Sequence, residues 1–434
     1  MRLPQSWLRG SSLAFWPVLE LSAVVAAQFV LTPLLLHRLG PEQFGVWVLV
    51  QSTLVACSFM SLGASTGLLP VLSAAVHQGD RAGAAAALRW LMRRTAVVSA
   101  ALVAGSLLAL ELGVLPDDLV GGRDGAWLLV LSAVVWMAAT ELDGALASSL
   151  KACGKFAFAA RLEAAARFVQ VAVIAWVVEG GSHALLPVLV SLAVTIGKLV
   201  FRLVALRKEG LLTPHIALAA SPTGDVPRDL ARTSVWLWIG LLGSLTFNAF
   251  DRWFVGAWFG TSVLAAYAIC VQLAQMPHAV AAAAGQVLVP WAARQARPLP
   301  GTDSDRRALK ILGWTTALAA VPSLVLLQLI EPLLALWISP AFAAEHLELG
   351  RQLTLVFLLL SLNVPAYFLL LGLGYPRFST IVIGICGVLF VVGAMLLPRD
   401  LSTFVNLKGF FALLSLALPL GCALVLMFRT RSAR

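Results

Sequence analysis

The sequence predicts an all-α polytopic membrane protein with twelve transmembrane helices, arranged as two six-helix lobes. The 434 residues are 60% hydrophobic and only 12% charged, and the mean hydropathy is +0.91. Soluble proteins are much less apolar and carry more charge. Apolar stretches of about 20 residues, enough to cross a bilayer, recur along the whole chain. The second half also repeats the first at an offset of 220 positions.

The internal repeat rests on residues of similar type at matched positions. The pairs include Trp16 with Trp236, Gln28 with Asn248, Gly40 with Gly260, Trp47 with Tyr267, Pro70 with Pro290 and Gly154 with Gly374. An even number of spans in each copy gives both copies the same orientation, related by a pseudo-twofold axis along the membrane normal. Transporters built from parallel repeats bind substrate between the halves, so we expect a central cavity.

The predicted spans divide the chain into three parts. The spans cover about residues 14–36, 44–70, 95–115, 126–150, 162–178 and 184–206, then 233–257, 264–290, 309–330, 352–372, 379–397 and 408–428. Residues 1–206 form the N-terminal lobe, residues 207–231 a proline-containing cytoplasmic linker, and residues 232–434 the C-terminal lobe. The first apolar run is too long for a signal-peptide core, so it is retained as a span.

The net charge of +10 would suggest nucleic acid in a soluble chain, but its placement indicates topology instead. With the N-terminus inside, most of the 31 Lys and Arg residues fall in cytoplasmic connections. Five are predicted to lie on the outer side of the membrane: Arg38, Arg123, Arg351, Arg399 and Lys408. This bias predicts that both termini are cytoplasmic and that the basic residues contact lipid headgroups.

Several functional classes are disfavoured by what the sequence lacks. The five cysteines lie in spans or in a predicted cytoplasmic loop, where disulfides are not expected. The six histidines show no zinc-site spacing, so we predict no metal and no cofactor. No phosphate-binding G-x-x-x-x-G-K-[ST] loop is present, so energy must come from an ion gradient, the membrane potential or the substrate gradient.

Charged residues inside spans are the candidate functional residues, because burying a charge in a bilayer costs several kcal/mol. Arg252 is the first candidate for lining a cavity, and the alternative is that it pairs with Asp251 or Asn248. Asp251 could equally be a structural counter-ion. Glu141 and Asp143 point about 200° apart on a helix. One could carry a coupling proton or sodium ion, or either could be a hydrogen-bonded acid that bridges helices.

The remaining intramembrane charges lie in the fifth and sixth spans. Glu163 and Arg167 have the i, i+4 spacing of an intrahelical ion pair, which is the favoured interpretation. Lys198 and Arg202 share a helix face. Arg202 is expected to be an interfacial anchor, whereas Lys198 lies deeper and is a candidate for a cationic lining.

Several segments resemble a known family. Residues 39–47 (LGPEQFGVW), 61–63 (SLG) and 79–80 (GD) resemble the opening of the bacterial polysaccharide (O-antigen/exopolysaccharide) flippases. That family belongs to the multidrug/oligosaccharidyl-lipid/polysaccharide exporter superfamily, with the multidrug and toxic-compound extrusion (MATE) transporters. Residues 250–252 (FDR), 259–260 (FG), Tyr267, Pro290 and 334–337 (LALW) resemble the family's second lobe.

The resemblance implies a MATE-like flippase, not an enzyme, in the bacterial inner membrane. Its substrate would be an undecaprenyl-diphosphate-linked oligosaccharide, moved by alternating access for polysaccharide biosynthesis. H⁺ or Na⁺ and the polysaccharide polymerase machinery are further candidate partners. Lipid II flippases usually carry two additional C-terminal helices, so twelve spans favour surface or exopolysaccharide units.

Such a substrate assigns expected roles to the buried charges, because arginine can bond two phosphate oxygens at once. The expected substrate-binding residues are Arg252, Arg167, Lys198 and Asn248, and the expected ion-coupling residues are Glu141, Asp143 and Asp251. The main alternative is a multidrug or organic-cation antiporter of the same fold. A polysaccharide polymerase or ligase is disfavoured because the longest outer loop, about residues 331–350, has few acids or bases, and a non-transporting scaffold is a minor alternative.

Overall fold

The structure is a computed structural model. It describes residues 5–60, 123–209, 245–295, 304–397 and 399–432, together with Gly243 and isolated positions between 93 and 108. The chain divides into two compact units, Met1–Arg228 (unit 1) and Asp229–Arg434 (unit 2). Most of the predicted third span and of the linker, and parts of the predicted second and seventh spans, lie outside the described residues.

Unit 1 contains four long described helices. They are α1 (Gln5–Met60), α2 (Arg123–Ala152), α3 (Phe156–Val177) and α4 (Leu185–Lys208). Helix α1 consists of two helical segments joined at Gly40, whose φ of 77° lies in the region that glycine adopts without steric cost. The main contacts join α2 to α4, α1 to α3 and α3 to α4, so the polar faces of α2, α3 and α4 meet inside this unit.

The first described element of unit 2 is a short π-helical turn, Thr246–Phe250. Nine helices follow among its described residues: α5 (Asp251–Phe259), α6 (Thr261–Ala274), α7 (Met276–Gly285), α8 (Leu288–Gln295), α9 (Ser304–Trp337), α10 (Pro340–Gly372), α11 (Pro376–Leu396), α12 (Leu401–Leu414) and α13 (Ala417–Ser432). Helix α10 is central to the unit, because it contacts α6, α7, α8, α9, α12 and α13.

The outer surfaces of the helices are apolar. Trp176 on α3 is 82% exposed and Leu336 on α9 is 86% exposed, as expected for side chains that face lipid rather than water. Within the described residues, seven helices are long and apolar enough to cross a membrane, or eight if the bent pair α6–α7 forms one span. The predicted class, an all-α multi-pass membrane protein, is therefore confirmed.

The backbone repeats at the offset seen in the sequence. Gly40 and Gly260 have φ/ψ of 77°/167° and 88°/168°, and each separates two helical segments. Gly154 and Gly374 have φ of 76° and 86°. The turns around the second pair carry the same hydrogen bonds: Gly154 N to Lys151 O and Lys155 N to Leu150 O, then Gly374 N to Leu371 O and Tyr375 N to Leu370 O. The two units thus share local geometry where their sequences differ.

The predicted start of the last span, at about residue 408, was wrong. The sequence analysis put Lys408 at an outer helix end, but the structure begins α12 at Leu401 and buries Lys408 completely. The polar run before Lys408 is a helix start, because the Asp400 side chain accepts a hydrogen bond from Thr403 N at 3.0 Å. The predicted span is divided into α12 and α13.

Candidate functional site

Unit 1 holds five charged side chains in contact, which we call the N-terminal charge cluster. They are Asp143 on α2, Glu163 and Arg167 on α3, and Lys198 and Arg202 on α4. A regular stripe on α4 supplies the two bases: Ser191, Thr195, Lys198 and Arg202 are all buried, at the i+3 and i+4 spacing of one helix face. Helix α4 is therefore polar on its inner face, while Val200, Phe201 and Val204 are exposed.

Four of these side chains form a closed ring of ion pairs. Lys198 Nζ lies 2.9 Å from Asp143 Oδ2 and 2.8 Å from Glu163 Oε2. Arg202 Nη1 lies 2.7 Å from Asp143 Oδ2, and its Nη2 lies 3.0 Å from Glu163 Oε2. Each acid thus contacts both bases. Arg202 also donates to the Asp143 backbone carbonyl at 2.7 Å, so it is an internal cluster member and the expected interfacial role was wrong.

Arg167 extends the cluster toward the surface of unit 1. Its Nε lies 3.0 Å from Glu163 Oε1, as the i, i+4 spacing predicted, and its Nη1 donates to Gln170 Oε1 at 3.1 Å. The side chain remains 33% exposed. Glu163 and Gln170 therefore bind the guanidinium, while about a third of the Arg167 side chain is exposed.

A chain of hydrogen bonds continues from Gln170 into α4 and α2. Gln170 Nε2 donates to Ser191 Oγ at 2.7 Å, and Trp136 Nε1 donates to Thr195 Oγ1 at 3.1 Å. The Thr195 hydroxyl donates to the Ser191 backbone carbonyl at 2.8 Å, and the Ser191 hydroxyl donates to Pro187 O at 2.7 Å. Trp136 in turn stacks on Trp47 with ring centroids 5.7 Å apart. Because buried polar groups are usually paired, the bond from Gln170 to Ser191 orients the amide that accepts from Arg167.

Two polar atoms of the cluster lack partners within the described part of the chain. Asp143 Oδ1 and Arg202 Nε are buried and make no hydrogen bond to any described residue. An unsatisfied buried acceptor or donor costs about 1–3 kcal/mol, so the cluster is not at its most stable arrangement. Glu141, on the same helix as Asp143, is half-buried.

Unit 2 has a smaller buried group, the C-terminal triad of Asp251, Tyr267 and Lys408. Lys408 Nζ lies 2.5 Å from Asp251 Oδ2, and both side chains are completely buried. Tyr267 donates to the same carboxylate oxygen at 2.8 Å and accepts from Lys408 Nζ at 3.1 Å. The triad joins α5, α6 and α12. The sequence analysis missed Lys408 as the partner of Asp251, although a lysine within an otherwise apolar helical run was a usable signal.

The two other candidate residues in unit 2, Arg252 and Asn248, are close to Asp251 in the sequence. Arg252 is half-buried, and its Nε is buried without a hydrogen-bond partner among the described residues. The alternative partner Asp251 is paired with Lys408, and its Oδ1 accepts a hydrogen bond from the Arg252 backbone N–H at 2.8 Å. Asn248 lies in the π-helical turn Thr246–Phe250, a feature that is often found at functional sites.

Comparisons with known proteins give structural similarity without close sequence similarity. No family model and no curated relative matches the chain. A structure titled as the inward-facing conformation of a multidrug resistance MATE family transporter of the MOP superfamily has TM-score 0.68 and 11% identity, covering 96% of this chain and 98% of its own. The outward-facing conformation has TM-score 0.66 and 12% identity, covering 97% and 95%.

A third structure is that of the MATE multidrug transporter DinF-BH, solved as a complex. It has TM-score 0.65 and 14% identity, covering 98% of this chain and 95% of its own. These similar structures are transporters, and they include both inward-facing and outward-facing conformations. The chain therefore has the fold of the MATE transporters of the MOP superfamily.

Proposed function

We propose that this protein is a flippase that moves an undecaprenyl-diphosphate-linked oligosaccharide across the bacterial cytoplasmic membrane by alternating access. The main observation behind this proposal concerns Arg252, a base in a membrane helix. Its Nε is buried without a partner among the described residues, beside an acid that another base has already neutralised. A buried donor without an acceptor costs about 1–3 kcal/mol. A diphosphate would supply an acceptor, and a guanidinium can bond two of its oxygens.

The charges in unit 1 favour the same class of substrate. Asp143 and Glu163 each contact both Lys198 and Arg202, and Glu163 also contacts Arg167. An organic cation would be repelled by these bases, and the one carboxylate oxygen of the pair without a partner among the described residues, Asp143 Oδ1, is buried. An anion meets less opposition at Arg167, whose side chain is 33% exposed.

The proposal gives the remaining candidates defined roles. Arg252 is the candidate diphosphate contact in unit 2, Arg167 and Lys198 are the candidates in unit 1, and Asn248 is a candidate polar contact. Asp143 and Glu141 are the candidates for coupling to H⁺ or Na⁺. Protonation of Asp143 would remove one of the two acids that hold Lys198 and Arg202, which frees a base for phosphate. Coupling at Asp251 would first require Lys408 to release it.

The decisive experiment is a leaflet-specific assay of lipid-linked glycan in cells whose chromosomal copy is deleted. Arg252→Ala should reach the membrane at normal levels but reduce glycan in the periplasmic leaflet at least ~tenfold, because one diphosphate contact is lost. Arg252→Lys should retain part of the activity, since it keeps the charge but not the planar fork. Arg351→Ala, which changes an exposed arginine on α10, is the matched control. Normal flipping by Arg252→Ala would reject the proposed role.

The second candidate function is a multidrug or organic-cation antiporter, favoured by the fold that the chain shares with multidrug transporters. Inverted vesicles that contain the protein should discriminate the two. Uptake of a fluorescent organic cation, driven by a proton or sodium gradient, together with normal surface glycan in the deletion strain, would establish the antiporter and exclude the flippase.

A further inference from the structure

The surroundings of the Lys408 ammonium have the composition of a binding site for a monovalent cation. Asp251 Oδ2 and the Tyr267 hydroxyl oxygen lie 2.5 and 3.1 Å from Nζ. The rings of Phe357 and Tyr267 have their centroids 5.3 and 5.6 Å from the same atom. A carboxylate, a hydroxyl oxygen and two aromatic faces are groups that attract an ammonium ion.

The C-terminal triad differs from an ordinary ion pair because it is completely buried. Asp251, Tyr267 and Lys408 all have zero exposed surface. The ring of Phe404 packs edge-on against the rings of Tyr267 and Phe390, with centroids 6.4 and 5.4 Å apart. Aromatic side chains therefore surround the triad on this side. A single carboxylate enclosed in this way requires one positive charge, because an unpaired buried charge costs several kcal/mol.

We propose that the C-terminal triad is built around a monovalent-cation site whose permanent occupant is the chain's own Lys408 ammonium. The site would accept a small alkylammonium ion, or less readily Na⁺ or K⁺, when that ammonium is removed. In the native protein the tethered ammonium neutralises the Asp251 carboxylate without a solvent ion. Ion exchange during transport then takes place outside this site, whichever substrate the protein carries.

The test is chemical rescue of Lys408→Ala in the purified, full-length protein. The substitution removes the three terminal methylene groups and the ammonium, which together correspond to propylammonium. Thermal unfolding is measured in equal concentrations of choline, sodium, methylammonium, ethylammonium and propylammonium chloride. Ligand binding to the folded state raises Tm by mass action. Relative to choline, propylammonium should raise the Tm of the variant by about 2–4 °C, more than methylammonium does, and should leave the native protein unchanged.

The control is the double variant Asp251→Asn with Lys408→Ala, which removes the charge that demands a cation. It should show no dependence on the cation. Equal Tm shifts in the single and double variants, or no shift in the single variant, would overturn the proposal. If Lys408→Ala cannot be purified in choline, recovery of folded protein in propylammonium supports the proposal. Failure in every salt, while the double variant folds, refutes it.

Discussion

The N-terminal charge cluster and the C-terminal triad both hold charged side chains inside a membrane protein, but they stabilise those charges in different ways. In unit 1, two acids share two bases, a third base is 33% exposed, and two polar atoms have no partner among the described residues. In unit 2, one acid and one base are paired at 2.5 Å with no exposed surface. The first arrangement can redistribute its contacts when one charge changes, whereas in the second the further side-chain contact of both charges is the neutral Tyr267 hydroxyl.

This contrast occurs on a repeated backbone. Asn363 is the counterpart of Asp143 at the 220-residue offset, and Ser415 is the counterpart of Thr195. Asn363 Nδ2 donates to Ser415 Oγ at 2.5 Å, so a neutral pair stands in unit 2 where unit 1 has a charge. Both Asp143 Oδ1 and Asn363 Oδ1 are buried without a partner in the described parts of the chain. The repeat therefore preserves the helix positions, and the chemistry has diverged between the copies.

The largest effect is expected from breaking the sealed pair. Asp251→Asn leaves the buried Lys408 ammonium without a negative partner, so it should lower the free energy of unfolding by about 3–5 kcal/mol. Thermal or denaturant unfolding of the purified protein measures the loss. Asp400→Asn is the matched control, because asparagine caps a helix about as well as aspartate and the change should stay within about 0.5 kcal/mol. An equally small effect for Asp251→Asn would mean that Lys408 does not depend on this carboxylate.

Substitutions in the N-terminal charge cluster should cost less and should follow the number of bases that each acid contacts. Asp143 contacts two bases and Glu163 contacts three. Removing one acid leaves the other to hold Lys198 and Arg202, so Asp143→Asn should cost about 1–3 kcal/mol and Glu163→Gln somewhat more. Both losses should remain below that of Asp251→Asn when unfolding is measured under identical conditions.

The same variants test ion coupling. If Asp143 carries the coupling ion, flipping by Asp143→Asn in vesicles should no longer respond to an imposed proton or sodium gradient, while the native protein does respond. Glu141→Gln tests the other coupling candidate on the same helix, and loss of the gradient response in this variant alone would assign the coupling to Glu141. A native protein that ignores both gradients would remove coupling from the mechanism. If Asp143→Asn destabilised the protein more than Glu163→Gln, the two acids would not share their bases as the distances indicate.

The sequence predicted the fold more completely than the site, for physical reasons. Hydropathy alone identifies membrane helices, because every span must be apolar over a fixed length. Gly40 and Gly154 identified a repeat whose turns the backbone reproduces. Contacts between distant helices carry no comparable local signal. The i, i+4 spacing revealed the Glu163–Arg167 pair, but Lys198 and Arg202 reach Asp143 and Glu163 only after three helices pack.

Lys408 shows where a local rule misled the prediction. Lysines that flank an apolar run usually mark a membrane boundary, and Lys408 follows the polar residues Arg399, Asp400 and Asn406. The Asp400 cap begins the helix earlier, so Lys408 falls on the buried face with Phe404 and Phe411. The better signal was the 3.6-residue periodicity around the lysine, which places it between two aromatic core positions.

The smallest effect on stability is expected at the exposed end of the N-terminal charge cluster. Arg167→Ala removes the i, i+4 pair with Glu163 and the hydrogen bond to Gln170 Oε1, and we expect a loss of about 0.5–1 kcal/mol. Glu163 remains neutralised by Lys198 and Arg202, so the loss should be smaller than that in Asp143→Asn. Flipping should nevertheless fall several-fold, because Arg167 has the most exposed side chain of the cluster and is the best placed to reach a phosphate.

This combination separates a substrate contact from a structural one. Arg167→Lys keeps the charge without the planar fork, so it should restore flipping only in part and leave stability unchanged. Arg351→Ala, an exposed arginine on α10, should alter neither property. A loss of stability in Arg167→Ala as large as that in Asp143→Asn would assign Arg167 to the structural core of the cluster. Normal flipping with normal stability would leave it no part in substrate binding, and the contrast between the units would then rest on Lys198, Arg202 and Lys408 alone.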